Sequence, residues 1–192
     1  MKKHILTLSL VLGYCIAFAQ QDTLHKNRKT YFGLGFSFGK GNIDGTYGDL
    51  FIYVEQKSYY LALKTSGIDE IKLFGSQPDL VVSDLSLIAG KRITLDRYNT
   101  FQVGLGISMF EQQTKGAIIP REGKACLFCS TNYEIIKKKQ FGVPFEVRYH
   151  LNLDRTASLN LGFSANLNKL NSFCAISIGT TIGRLRDRIK KR

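Results

Sequence analysis

Stretches in which apolar residues alternate with small or polar residues are the clearest feature of this sequence. In residues 156–168 every second residue is Ala, Leu or Phe, and the residues between them are mostly Ser, Asn or Gly. A period of two predicts a β-strand with one apolar and one polar face. In a soluble protein the apolar face would form the core, whereas in an exported chain it can equally face lipid, with the polar face lining a barrel.

Seven further segments carry a similar pattern, some less regularly. The sequence predicts strands over residues 31–40, 49–55, 58–65, 80–92, 100–110, 140–151, 156–168 and 172–183. Pro144 lies within one of them and has no backbone N–H, which predicts a bulge or strained pairing at that point.

The connections between these strands differ in length in an ordered way. Residues 40–48 form a connection of medium length, 66–79 and 111–139 are long, and 56–57, 93–99 and 152–155 are short. Long and short therefore alternate until the last connection, 169–171, which is also short. Outer-membrane barrels have short periplasmic turns, longer external loops and an even number of strands. The pattern therefore predicts an all-β fold, an eight-stranded antiparallel up-and-down transmembrane β-barrel with both termini on the periplasmic side.

The N-terminal residues predict export. Lys2 and Lys3 precede an apolar run, and Ala17-Phe18-Ala19 resembles a signal-peptidase site. The apolar run of about 14 residues is short for a transmembrane helix. We therefore expect a cleaved signal peptide at 1–19, and then a polar leader at 20–29, a barrel domain at 30–183 and a basic tail at 184–192.

With this signal sequence, these strands and this order of connections, the chain resembles the small outer-membrane β-barrel proteins of the OmpA/OmpX-like, porin-superfamily type. The resemblance implies an outer-membrane location and no enzymatic activity. It also implies a structural, adhesion or secretion-accessory role for the external loops. The expected partners are outer-membrane lipid, lipopolysaccharide and an envelope protein.

Two alternatives remain open on the sequence. One is a periplasmic or secreted lipocalin-like barrel that holds a small apolar ligand, in a cavity lined by Phe32, Phe36, Phe101 and Phe163. The other is an envelope lipid-modifying enzyme, in which Glu146 and His150 would line an accessible cleft. No catalytic, metal or cofactor site is predicted, because no motif for one stands out.

Charged residues recur on the polar faces of the strands. An eight-stranded barrel is just wide enough for side chains to fill it, and buried charges need partners. The sequence therefore predicts an interior salt-bridge and hydrogen-bond network that involves Glu55, Lys64, Asp84, Glu146, Arg148 and His150.

The formal net charge of the full chain is +12, and much of it lies at the C-terminus. The basic residues of the tail are Arg184, Arg186, Arg188, Lys190, Lys191 and Arg192. An exported protein rarely meets nucleic acid, so we expect no nucleic-acid partner. Contact with anionic lipid is the expectation for this tail, and the alternative is a solvated segment.

Cys126 and Cys129 form the single C-x-x-C sequence, within the connection 111–139. No second pair and no neighbouring His accompanies them, which disfavours a zinc site. We expect either a local disulfide in the external loop or two free thiols.

Overall fold

A computed structural model describes residues 30–69, 80–118 and 133–185 of the chain. The strands are β1 (Thr30–Gly41), β2 (Thr46–Gln56), β3 (Tyr59–Asp69), β4 (Leu80–Thr94), β5 (Asn99–Ile118), β6 (Tyr133–Asn152), β7 (Ala157–Leu167) and β8 (Phe173–Arg184). Within these residues there is no helix with the length and apolar character needed to cross a membrane. The predicted signal peptide, leader and most of the basic tail lie outside the described residues.

The eight strands form one closed barrel in chain order. β1 pairs antiparallel with β8, from Phe32 opposite Arg184 to Gly41 opposite Ala175, and this pairing closes the ring. Because closure satisfies the backbone hydrogen bonds of what would otherwise be two edge strands, the ring itself has no open sheet edge. The predicted eight-stranded up-and-down barrel is confirmed.

The apolar residues of the alternating strands lie on the outside of the barrel. Phe32, Phe36 and Phe163 are all exposed there, so they do not point into a cavity as the lipocalin-like alternative requires. Phe101 is half-buried and shares the outward parity of exposed Val103 on β5. The exterior also carries Leu34, Leu50, Ile52, Leu61, Leu63, Leu85, Leu87, Leu105, Ile107, Leu161, Ile176 and Ile178. This apolar exterior, which we call the apolar belt, is typical of a barrel that faces lipid.

Glycines on the inner face of β1 make room for aromatic rings from β2. An added Cβ at Gly33 would lie 2.6 Å from the Tyr53 ring, and one at Gly35 would overlap the Phe51 ring. The narrow interior can hold the large side chains of β2 because the facing positions of β1 have none.

The two ends of the barrel differ in their connections. Lys57 and Ser58 form a two-residue turn between β2 and β3, with φ angles of 51° and 69°. Residues 95–98 and 153–156 make short turns at the same end, which we call the short-turn end. The other four connections are at the opposite end. We call it the long-connection end because residues 70–79 and 119–132 form the two longest connections, although 42–45 and 168–172 there are short.

β5 and β6 extend beyond the rest of the barrel, where the sequence predicts a loop over 111–139. Residues 111–118 and 133–139 of that predicted loop are strand, with Glu111 opposite Lys139 and a register shift between Lys115 and Ile118. The extension was missed because most of its residues are polar, so it lacks the apolar–polar alternation that marks the other strands.

Pro144 was predicted to cause a bulge or strained pairing, and it interrupts the β5–β6 pairing without a bulge. The β5–β6 ladder reaches Leu105 opposite Phe145 and continues at Ser108 opposite Gly142 in the same register. On its other side, Pro144 lies opposite Asn166 of β7 in an unbroken register. The strand accommodates the missing donor without an inserted residue.

Candidate functional site

The centre of the barrel interior holds a network of ionised side chains. The Arg148 guanidinium lies 3.0 Å from Glu146 and 3.1 Å from Asp49, and the Lys64 ammonium lies 2.8 Å from Glu146. The Ser37 hydroxyl donates a further hydrogen bond to Asp49. All these groups are buried. Since each cation contacts at least one carboxylate, their charges offset one another inside the barrel.

Neutral groups complete the surroundings of the two cations. Lys64 donates a second hydrogen bond, of 2.8 Å, to the Ser164 hydroxyl. The Arg148 guanidinium carbon lies 3.7 Å from the centroid of the Phe51 ring, a cation–π contact. Arg148 is 0% exposed, and this packing fixes it in the middle of the lumen.

A second ion pair lies nearer the short-turn end. Arg92 donates to Glu55 at 2.6 Å, to the Thr100 hydroxyl at 3.2 Å and to the backbone carbonyl of Leu185 at 3.3 Å. Arg92 thereby joins β2, β5 and the residue that follows β8.

Asp84 lies on the side of the network toward the long-connection end. Its carboxylate accepts hydrogen bonds from the hydroxyls of Ser66 and Ser86 and, at 3.1 Å, from the Asn166 amide. Asn166 donates a further hydrogen bond, of 2.8 Å, to Ser108. The carboxylate is therefore held by neutral donors from three strands of the wall, β3, β4 and β7.

His150 and Glu146 do not line an accessible cleft, which is what the enzyme alternative requires. They are 1% and 2% exposed. His150 lies 2.9 Å from the Gln102 amide oxygen and 3.4 Å from the Ser158 hydroxyl. Among residues 30–69, 80–118 and 133–185, no cluster of His, Cys, Asp and Glu is arranged to hold a metal ion.

Apolar clusters lie inside the barrel on both sides of the ionised centre. Toward the long-connection end the cluster is Tyr47, Ile68, Val82, Phe110, Phe173 and Ala175. Toward the short-turn end it is Phe51, Tyr53, Tyr60, Ala62, Ile88 and Leu185. Together with the ion network, these clusters fill the lumen, as expected for eight strands.

The structure brings Glu55, Lys64, Asp84, Glu146, Arg148 and His150 into the same interior. It adds Asp49 and Arg92, which the sequence prediction did not include. Their parity could have identified them, because Asp49 lies on the same face of β2 as Glu55 and Arg92 on the same face of β4 as Asp84. Arg184 ends β8 and is exposed. Cys126, Cys129 and the tail residues Arg186, Arg188, Lys190, Lys191 and Arg192 lie outside the described residues.

Solved structures of outer-membrane proteins share this fold. Neisserial surface protein A matches with a TM-score of 0.56 at 10% identity, over 82% of this chain and 99% of that one. Ail, the attachment invasion locus protein of Yersinia pestis, matches with a TM-score of 0.54 at 9% identity, over 82% of this chain and 99% of that one. A major outer membrane protein from Thermus thermophilus matches with a TM-score of 0.57 at 12% identity, over 81% of this chain and 99% of that one.

No family model matches the chain, and no curated protein matches it. At 9–12% identity the structural likeness shows the fold alone. That fold is the small β-barrel of the outer-membrane type, as the sequence pattern predicted.

Proposed function

We propose that the protein is a non-enzymatic barrel of the outer membrane that acts through the connections at its long-connection end. The main support for this proposal is that the barrel is apolar on its outside and filled by side chains on its inside. Arg148 and its carboxylate partners occupy the middle of the lumen, with an apolar cluster on each side. A filled interior suits a membrane anchor and scaffold, and it disfavours a diffusion pore.

The location and orientation follow from the exterior and from the connections. The apolar belt contacts lipid, the short turns lie in the periplasm and the longer connections lie outside the cell. The fold shared with outer-membrane proteins supports this location.

The test of the location is cell fractionation followed by electrophoresis with and without boiling. A heat-modifiable band in the outer-membrane fraction is expected, and a soluble periplasmic band would overturn the proposal.

Among the roles open to such a scaffold, adhesion has one specific support. A structural neighbour is named for attachment and invasion, and it has also been solved with a heparin analogue, sucrose octasulfate, at a TM-score of 0.51. A bacterial strain that adheres poorly to host cells should gain binding when it displays this protein. A variant in which residues 119–132 are replaced by a Gly-Ser segment should lose that gain while it keeps its heat-modifiable band.

The basic tail is proposed to contact anionic lipid headgroups. A chain truncated after Leu185 keeps Arg184 and the apolar cluster of the short-turn end, and it loses the basic residues of 186–192. Reduced binding of the truncated barrel to vesicles containing phosphatidylglycerol is expected. Unchanged binding would identify the tail as a solvated segment.

A further inference from the structure

The outer face of β6 changes from apolar to basic between two successive outward-facing residues. Val143 and Phe141 are exposed on the apolar belt, and Phe141 is 77% exposed. The next residues with the same parity are Lys139 and Lys137, both exposed. This change marks the boundary of the apolar belt at the long-connection end.

The neighbouring strands change character at the same level. On β5, Met109 lies opposite Phe141 and Glu111 lies opposite Lys139. On β7, Leu167 is the last apolar residue and exposed Lys169 follows in the turn to β8. Apolar and charged residues therefore meet along one line across three strands.

A groove lies at this boundary, where β6 loses one of its neighbours. The β6–β7 ladder ends at Val143 opposite Leu167, although β6 itself extends back to Tyr133. The groove has a volume of about 590 Å³. Its wall includes Ile107, Phe141, Val143 and Leu167, and its rim includes Gln140 and Lys169.

The turn that carries Lys169 is well ordered by hydrogen bonds. The Asn168 side-chain oxygen accepts from the backbone N–H groups of Leu170 and Asn171 at 3.0 and 2.8 Å. The Asn168 backbone N–H donates to the Ser172 hydroxyl at 3.0 Å. Lys169 is therefore presented from a preformed turn, which lowers the entropic cost of binding a ligand there.

The charge beside the groove is positive. Lys139 and Lys137 lie 3.2 and 3.9 Å from Glu111. One carboxylate faces two ammonium groups, and Lys169 adds a third cation at the rim. The excess of positive charge at the polar end of an apolar groove matches a lipid with acyl chains and an anionic phosphate head.

We propose that this groove binds one lipopolysaccharide molecule. An acyl chain of its lipid A lies along the wall that contains Phe141 and Leu167, and a phosphate contacts Lys139 and Lys169. The inference rests on the proposed function, because the orientation given there puts the groove in the outer leaflet, where lipopolysaccharide is found. Phosphatidylglycerol, the anionic phospholipid alternative, is tested as a separate arm.

The experiment uses the full mature chain, refolded in phosphatidylcholine nanodiscs, and measures the bound lipid per barrel as bisphosphorylated lipid A is titrated in. Dephosphorylated lipid A and phosphatidylglycerol are titrated in parallel. The Lys139→Gln/Lys169→Gln double variant should bind bisphosphorylated lipid A about tenfold more weakly or worse, given the usual contribution of a basic residue at an anionic membrane surface. The wild type should bind dephosphorylated lipid A and phosphatidylglycerol weakly.

Lys91→Gln is the matched control, since Lys91 is an exposed lysine on the outside of β4 at the short-turn end. It should bind bisphosphorylated lipid A as the wild type does. Equal binding by the double variant and the wild type would overturn the proposal, and so would equal binding of phosphatidylglycerol and lipid A. A normal heat-modifiable band in the outer-membrane fraction, together with either result, would reject the lipid site and leave the proposed function intact.

Discussion

Lys64 of β3 and Glu146 of β6 form a 2.8 Å ion pair across the barrel interior, between strands that are not neighbours in the ring. Both side chains are 3% exposed, so each has lost nearly all of its hydration. The loss is offset by their mutual attraction, by the Ser164 hydroxyl on Lys64 and by Arg148 on Glu146. The pair therefore connects opposite parts of the wall.

Removal of one partner from this pair should destabilise the barrel strongly. Lys64→Met leaves Glu146 with Arg148 as its only cation in the central network. The expected loss in the free energy of unfolding is about 3–5 kcal/mol, the usual result of breaking a buried ion pair. Urea unfolding in lipid vesicles measures it.

A double-mutant cycle separates the pair from its surroundings. Lys64→Met/Glu146→Gln should recover part of the loss, because the unpaired buried carboxylate is gone and Arg148 keeps Asp49. Lys91→Met, a change at an exposed lysine, should cost little. The interpretation fails if Lys64→Met unfolds at the same urea concentration as Lys91→Met.

The filled lumen predicts that the protein forms no open pore. Arg148 is fully buried at the centre, and apolar clusters that contain Phe110 and Tyr53 lie on either side of it. In planar lipid bilayers, the purified barrel should give no stable stepwise current under conditions in which a 16-stranded porin does. Reproducible conductance steps would contradict the packing described here.

The parts of the fold that sequence reasoning recovers are those with an apolar–polar period. β7 is predicted almost to the residue, since lipid on one side and the packed interior on the other impose opposite polarity on successive residues. The outer part of β6, residues 133–139, was missed. Glu134–Lys139 are exposed whichever face they lie on, so nothing in their surroundings selects an alternating pattern.

The interior residues are predictable by parity, but their partners are not. Alternation places Glu55 and Arg148 inward, whereas the pairing of Arg92 with Glu55 depends on side chains from β2 and β4 reaching the same depth. Leu185 has the inward parity of Ala175, Ser177 and Thr181, but the predicted strand ends at residue 183, two residues before it.

Leu185 should contribute to stability as an interior residue although it lies beyond the last strand. It is 2% exposed in the cluster of the short-turn end, and its backbone N–H donates to the Arg155 carbonyl at 2.9 Å. Leu185→Ala should lower the free energy of unfolding by about 2–5 kcal/mol. Ile182→Ala, on the outside of β8, is the matched control and should cost less, since its side chain faces lipid. Equal costs would argue against a packed role for Leu185.

The turn between β2 and β3 has an unfavourable backbone conformation for its residues. Lys57 and Ser58 both have positive φ, as in a type I′ turn, which favours Asn followed by Gly. Ser58→Gly should raise the free energy of unfolding by about 1 kcal/mol, because Gly adopts this conformation without a clash of its Cβ. Ser83→Gly, within β4, should have the opposite effect. A loss of stability in Ser58→Gly would contradict this reading of the turn.

Asp96 predicts a pH dependence at the short-turn end, outside the membrane-spanning strands. Its carboxylate accepts hydrogen bonds from the Asn99 side chain at 2.6 Å and from the backbone N–H groups of Tyr98 and Asn99 at 2.7 and 2.8 Å. The Asn99 side-chain hydrogen bond, followed by the two backbone N–H groups, lowers the pKa of Asp96 below its usual value. NMR titration of the carboxyl carbon should show this shift, and Asn99→Ala should reduce it.

The sign of the effect on stability follows from the lowered pKa. The turn is favoured when Asp96 is ionised, so its contribution is complete above the unfolded-state pKa of about 3.9 and is lost as the pH falls through the lower folded-state pKa. Unfolding of the wild type and of Asp96→Asn is compared between pH 7 and pH 2. The wild type should be the more stable at neutral pH, and the difference should narrow only at the acid end of that range. A difference that is constant with pH would show that ionisation of Asp96 does not support the turn.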